Sequence, residues 1–79
     1  MKKVVKVFST PTCPYCVMLK NYLREQKVEF EDIDVSIDHE AAKKMIAKSQ
    51  SMSVPQSWID DKVIIGFDTA VINAELGIK

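Results

Sequence analysis

Apolar positions along the chain fall into short strand-like runs separated by stretches with helical spacing. Residues 3–8 carry Val4, Val5, Val7 and Phe8 around Lys6, a β-branched run that predicts a first, central strand. A loop of turn formers containing Pro11 follows at 9–12. Pro14 suits the first position of a helix and leaves Cys13 as its cap. Cys16, Leu19, Tyr22 and Leu23 recur at three- and four-residue intervals, which predicts a helix to about Gln26 with that stripe facing the core. Residues 28–35 alternate through Val28, Phe30, Ile33 and Val35 and predict a second strand. The phase slips between Phe30 and Ile33, so an irregularity or an early end is expected there.

Asp38 or Ser36 can cap a second helix that runs to about Ser49 and buries Ala42, Met45 and Ile46. Residues 54–59 read as a third strand begun by Pro55. Asp60-Asp61-Lys62 makes a hairpin turn, and 63–65 form a fourth strand. Asp68 caps a last helix that stops at Gly77. The order β-α-β-α-β-β-α calls for a right-handed crossover between two parallel strands and an antiparallel hairpin at the end. The fold class is therefore α/β, a four-stranded mixed sheet with helices on both faces.

Length and charge narrow the function. At 79 residues the chain is one domain, 1–79, with a modest core. A hydrophobic fraction of 47% is enough to fold it, so disorder is not expected. Eleven basic side chains balance eleven acidic ones, which leaves no basic excess for nucleic acid. Lys43, Lys44 and Lys48 follow Asp38 and Glu40, an order that suits a helix dipole on a solvated face. No apolar run approaches the roughly 20 residues of a membrane span. The Met1-Lys2-Lys3 start leads into an alternating strand rather than a signal-peptide core, so a cytoplasmic location is expected.

The chemistry rests on Cys13 and Cys16. Two cysteines cannot build a disulfide scaffold or a four-ligand zinc site, and the single histidine, His39, is far along the chain. They can exchange electrons as a dithiol and a disulfide. At a helix start, unpaired amides and the dipole stabilise a thiolate, so Cys13 is expected to be exposed and attacking. Cys16, one turn in, is expected to be buried, protonated and resolving. Their spacing makes them helix neighbours able to close a disulfide.

Thr12-Cys13-Pro14-Tyr15-Cys16 resembles the active-site motif of dithiol glutaredoxins. Val54-Pro55-Gln56 is similar to that family's cis-proline loop, and Gly66-Phe67-Asp68 to the glycine–aspartate segment before its last helix. The resemblance covers essentially the whole chain. It implies a thioredoxin-like fold and a thiol–disulfide oxidoreductase that needs no cofactor and takes glutathione as co-substrate. It also implies that Pro55 is cis and faces Cys13, and that the Val54 backbone pairs with the backbone of the bound thiol substrate. Phe67, through its amide, and Asp68, through its carboxylate, would hold the γ-glutamyl end of glutathione. Tyr15 would flank the sulfur, with Thr12, Pro14 and Gly66 completing the substrate-binding surface.

Several positions depart from the pattern. Thr10 stands where glutathione-using relatives carry a lysine, and Gln50 or Ser51 where they carry an arginine. Ile65 and Thr69 replace a glycine and an aspartate, and Val17 and Met18 replace basic residues. The glycyl carboxylate of glutathione thus lacks its usual cationic partners. A charge-assisted hydrogen bond is worth roughly 1.5–3 kcal/mol, so affinity is expected to fall about tenfold or more. Ile65-Gly66-Phe67 is also similar to a segment of glutaredoxin-like redoxins that are reduced by thioredoxin reductase and serve ribonucleotide reductase. The Trp typical of that group is missing just before the segment, and Trp58 reads as packing on the preceding strand.

A third alternative, from another class, is a dimeric iron–sulfur carrier in which each chain gives Cys13 to one cluster. Relatives of that kind usually carry Gly or Ser in place of Pro14-Tyr15. Expected partners are glutathione, disulfide-containing proteins and, in the redoxin alternative, thioredoxin reductase, with no nucleic acid and no membrane. A monomer is expected.

Overall fold

The computed structural model describes residues 4–78. Seven elements follow in the expected order: β1 (Val5–Ser9), α1 (Pro14–Glu25), β2 (Glu31–Asp34), α2 (His39–Ser49), β3 (Gln56–Ile59), β4 (Lys62–Ile65) and α3 (Thr69–Leu76). Lys3, expected in the first strand, lies outside the described residues. The sheet order is β2-β1-β3-β4, with β1 parallel to β2 and antiparallel to β3, and β4 antiparallel to β3. The central position of β1 agrees with its Val-rich sequence.

Alternation along the strands sorts side chains onto two faces. On one face Val5, Val7, Ile59 and Ile64 meet Leu19 and Leu23 of α1 and Ile72 of α3, all essentially removed from water. Tyr22, Val28, Phe30 and Phe67 pack around this cluster. On the other face Phe8 and Trp58 lie with ring centroids 4.4 Å apart, and the Lys48 ammonium of α2 sits 4.8 Å over the indole. Beside them is a cleft of about 550 Å³ bordered by Lys6, Ile33, Ile37, Ala41 and Lys44.

The second strand is shorter than the alternation over 28–35 suggests. Lys27 adopts φ 59°, and the Val28 N–H donates to the Leu23 carbonyl at 2.9 Å, which closes the end of α1. Val28 and Phe30 then reach the core before any ladder begins. The strand ladder covers Glu31–Asp34, opposite residues 6–9 of β1, and the Val35 N–H adds a bond to the Ser9 carbonyl at 3.0 Å. The phase slip has this cause: Phe30 belongs to the α1 face, whereas Ile33 borders the cleft on the opposite face.

Two further expectations change. Ile46 is 39% exposed rather than buried, because α2 presents only Met45 fully to the sheet and holds Ala42 half-buried. The third strand begins at Gln56, so Val54 and Pro55 stay outside the ladder as a loop. Asp38 is the cap of α2, its Oδ1 accepting from the Ala41 N–H at 3.0 Å. In the β3–β4 turn, Asp60 takes φ 51° and exchanges two 2.9 Å hydrogen bonds with Val4, tying the hairpin to the start of β1.

Candidate active site

Cys13 is the N-cap of α1, extended at φ −93° and ψ 111°, with Pro14 opening the helix behind it. A capping oxygen would ordinarily accept an amide from the first turn. Here the sulfur does so: the Cys16 N–H donates to Cys13 Sγ at 3.3 Å. The first turn holds no acidic side chain. Cys13 is half-buried, Cys16 is fully buried, and both are free thiols. Burial pushes the Cys16 thiol up from its ordinary 9.0 to about 11, and a hydrogen bond with Cys13 and the charge there add to the rise. The Thr10 backbone and the Lys20 ammonium pull the other way without reversing it. The pair is asymmetric in exposure.

The second segment comes from the loop before β3. The Val54–Pro55 bond is cis, and the Cys13 thiol points at the Val54 carbonyl, 3.9 Å from sulfur to oxygen. Among the described residues no backbone group pairs with the Val54 N–H. Pro55 is buried, and its carbonyl accepts the Gly66 N–H at 2.8 Å. Gly66 adopts φ +86°, a conformation that a side chain would strain. The third segment is thereby stitched to the second.

Phe67 and Asp68 extend from that stitch. The Phe67 ring meets Tyr22 edge-on, with centroids 6.1 Å apart, and the Tyr22 hydroxyl donates to the Asn73 side chain, joining α1 to α3. Asp68 caps α3, with Oδ1 accepting the Val71 N–H at 3.2 Å while the residue stays exposed. Thr12, Pro14 and Tyr15 are exposed on the rim, as are Val17, Met18 and Met52. Cys13, Val54, Pro55 and Gly66 are therefore linked by hydrogen bonds into one locus. Phe67 and Asp68 adjoin it through the chain rather than through a hydrogen bond to either cysteine.

Two features escaped the sequence reading. Gln56, fully buried, donates from Nε2 to the carbonyls of Ser51 (3.1 Å) and Ser53 (2.9 Å) and accepts the Trp58 indole N–H at 3.2 Å. The available signal was a long polar side chain inside an apolar strand run, which must find hydrogen-bond partners when buried. Lys20, one turn beyond Cys16, pairs with Asp32 Oδ2 at 3.2 Å and reaches Ser9 Oγ at 3.4 Å. Nothing in the local sequence announces that partnership, which depends on β2 lying beside β1. Among the described residues no group of three His, Cys, Asp or Glu side chains is arranged to hold a metal, and no helix is long and apolar enough to cross a membrane.

Comparison with known proteins agrees with this geometry. The glutaredoxin family model matches residues 5–64. An uncharacterized glutaredoxin-like 8.6 kDa protein in the rubredoxin operon of Clostridium pasteurianum is 37% identical over 70 residues, covering 89% of this chain and 93% of that one. Glutaredoxin 3 of Escherichia coli K12 is 39% identical over 66 residues, covering 81% and 77%. The crystal structure of a mutant thioredoxin-like protein superposes with a TM-score of 0.91 at 34% identity, covering 100% of both chains. The fold and the paired thiols define a thioredoxin-fold redox protein. The chain belongs to the glutaredoxin family.

Proposed function

We propose that this chain reduces protein disulfides and glutathione mixed disulfides by dithiol exchange, with Cys13 attacking, Cys16 resolving and glutathione as co-substrate. The observation that carries the reading is the cap itself: a half-buried sulfur receives an amide N–H from a residue whose own thiol is buried and protonated. In the first step the Cys13 thiolate attacks a substrate disulfide. A Cys13–substrate S–S bond forms, the substrate S–S bond breaks, and the departing sulfur takes up a proton. In the second step Cys16 loses its proton and attacks Cys13 Sγ. The Cys13–Cys16 disulfide closes and the second substrate thiol leaves. The substrate gains two electrons and the cysteine pair loses them. Two glutathione thiols can then reduce the pair, leaving as glutathione disulfide.

Residues around the pair supply binding. The unpaired Val54 N–H and its carbonyl offer a backbone edge beside Cys13, suited to a substrate with its own peptide groups. Asp68 has a second carboxylate oxygen beyond its capping bond for the ammonium of a γ-glutamyl group, with the Phe67 amide beside it. Thr12, Pro14, Tyr15 and Gly66 frame the approach to the sulfur.

A second reading, reduction by thioredoxin reductase in place of glutathione, is favoured by the uncharged rim. Residues 10–19 and 49–59 contain no charged side chain, and Tyr15, Val17, Met18 and Met52 are exposed. Such a surface suits a polypeptide better than a small anion with two carboxylates. Parallel turnover assays decide between them, one with glutathione and glutathione reductase, the other with NADPH and thioredoxin reductase. Activity in the first supports glutathione as co-substrate. Activity confined to the second overturns that assignment and leaves the dithiol chemistry standing.

A further inference from the structure

The Val54 peptide edge lies outside the sheet, so something other than the ladder must hold it against Cys13. From the α2 side, the Ser49 hydroxyl donates to the Met45 carbonyl at 2.6 Å and accepts the Ser51 N–H at 3.2 Å. The Ser51 hydroxyl then accepts the Ser53 N–H at 3.1 Å. From the sheet side one side chain answers. Gln56, the first residue of β3, sits in register with Phe8 of β1 and Ile65 of β4. Both protons of its amide are spent on Ser51 and Ser53, the residues flanking the exposed Met52, and its oxygen is held by Trp58. An amide buried to 0% exposure with both donors committed to one loop has little freedom to reorient.

We infer that Gln56 is a positioning residue: it straps the 51–53 loop to the sheet, sets the Val54 peptide edge beside Cys13, and makes the site selective for disulfides carried on a peptide backbone. The inference rests on the dithiol reading. A disulfide without amide groups has nothing to pair with that edge, so its exchange with Cys13 is indifferent to where Val54 lies. A peptide disulfide gains orientation from the edge, and a displacement of the order of 1 Å forfeits it.

The test compares wild type with Gln56→Leu, which keeps bulk and removes every hydrogen bond, and Gln56→Met, whose flexible chain fills the same space if the first variant folds poorly. Reduced protein is mixed in single turnover with glutathione disulfide or with bis(2-hydroxyethyl) disulfide, and the modification of Cys13 is followed by mass spectrometry. Both variants are expected to lose about 10- to 100-fold in rate on the peptide disulfide. Their rates on the hydroxyethyl compound, and alkylation of Cys13 by iodoacetamide, are expected to stay near wild type. Equal losses on both disulfides, or none on either, overturn the positioning role. A wild-type chain that reacts with neither disulfide overturns the dithiol reading, and this inference with it.

Discussion

Replacing Cys16 with alanine removes a thiol that folding takes completely out of water, and the consequence depends on pH in a calculable way. In the folded chain the group ionises at about 11, against an ordinary 9.0 that also serves for the unfolded chain. Between those values the unfolded chain has released a proton that the folded chain still holds, so rising pH favours unfolding. The stability attached to the protonated thiol is complete below pH 9 and is lost as pH climbs through 11. At about 1.36 kcal/mol for each pH unit, the loss amounts to roughly 3 kcal/mol. A chain of 79 residues has roughly 4 to 12 kcal/mol in total, so the effect is large enough to measure. Urea unfolding under reducing conditions, followed by the fluorescence of the single tryptophan, Trp58, gives the stability of both proteins at pH 8 and near pH 11. Wild type is expected to lose roughly 2 kcal/mol more than Cys16→Ala over that interval, since at pH 11 the folded thiol is itself half ionised. A stability gap that stays constant from pH 8 to pH 11 refutes the argument that burial keeps this thiol protonated.

Cys13→Ser is expected to abolish exchange with every disulfide. Cys16→Ser is expected to retain turnover of glutathione mixed disulfides while losing protein-disulfide reduction, and equal inactivation of both variants on the mixed disulfide would contradict the division of roles. Leu19→Ala empties a fully buried position under the sheet and is expected to cost about 2–5 kcal/mol, read as a lower melting temperature. At Asp68 two variants separate cap from ligand. Asparagine keeps the cap, so Asp68→Asn is expected to hold its melting temperature and raise KM for glutathione, whereas Asp68→Ala is expected to lose about 1 kcal/mol of stability as well. An unchanged KM in Asp68→Asn would remove the carboxylate from the binding site.

The elements that local chemistry controls were legible in the chain. Pro14 after Cys13, Asp38, and Asp68 paired with Gly77 mark helix ends by caps and turns that act within a few residues, and the structure places α1, α2 and α3 accordingly. Misreadings arose where a distant partner decides. Val28 and Phe30 carry a strand-like pattern, yet the closed end of α1 delivers them to the core first, and pairing waits until Glu31. Ile46 looks like a core residue on helical spacing, but how much of α2 the sheet covers is a property of the packed domain. Gln56 was visible only as part of a loop motif, because its significance lies in carbonyls that the loop turns back toward it.

The sequence alone determined the order of elements, the ends of the helices and the placement of two thiols one turn apart at a helix start. Each follows from interactions spanning a handful of bonds, which the neighbouring residues specify. Only the tertiary structure decided that the Cys13 thiol meets the Val54 carbonyl and that Gly66 binds the Pro55 carbonyl. Those facts depend on β1, β3 and β4 lying side by side, and sheet pairing between segments far apart in the chain leaves little trace in any one of them.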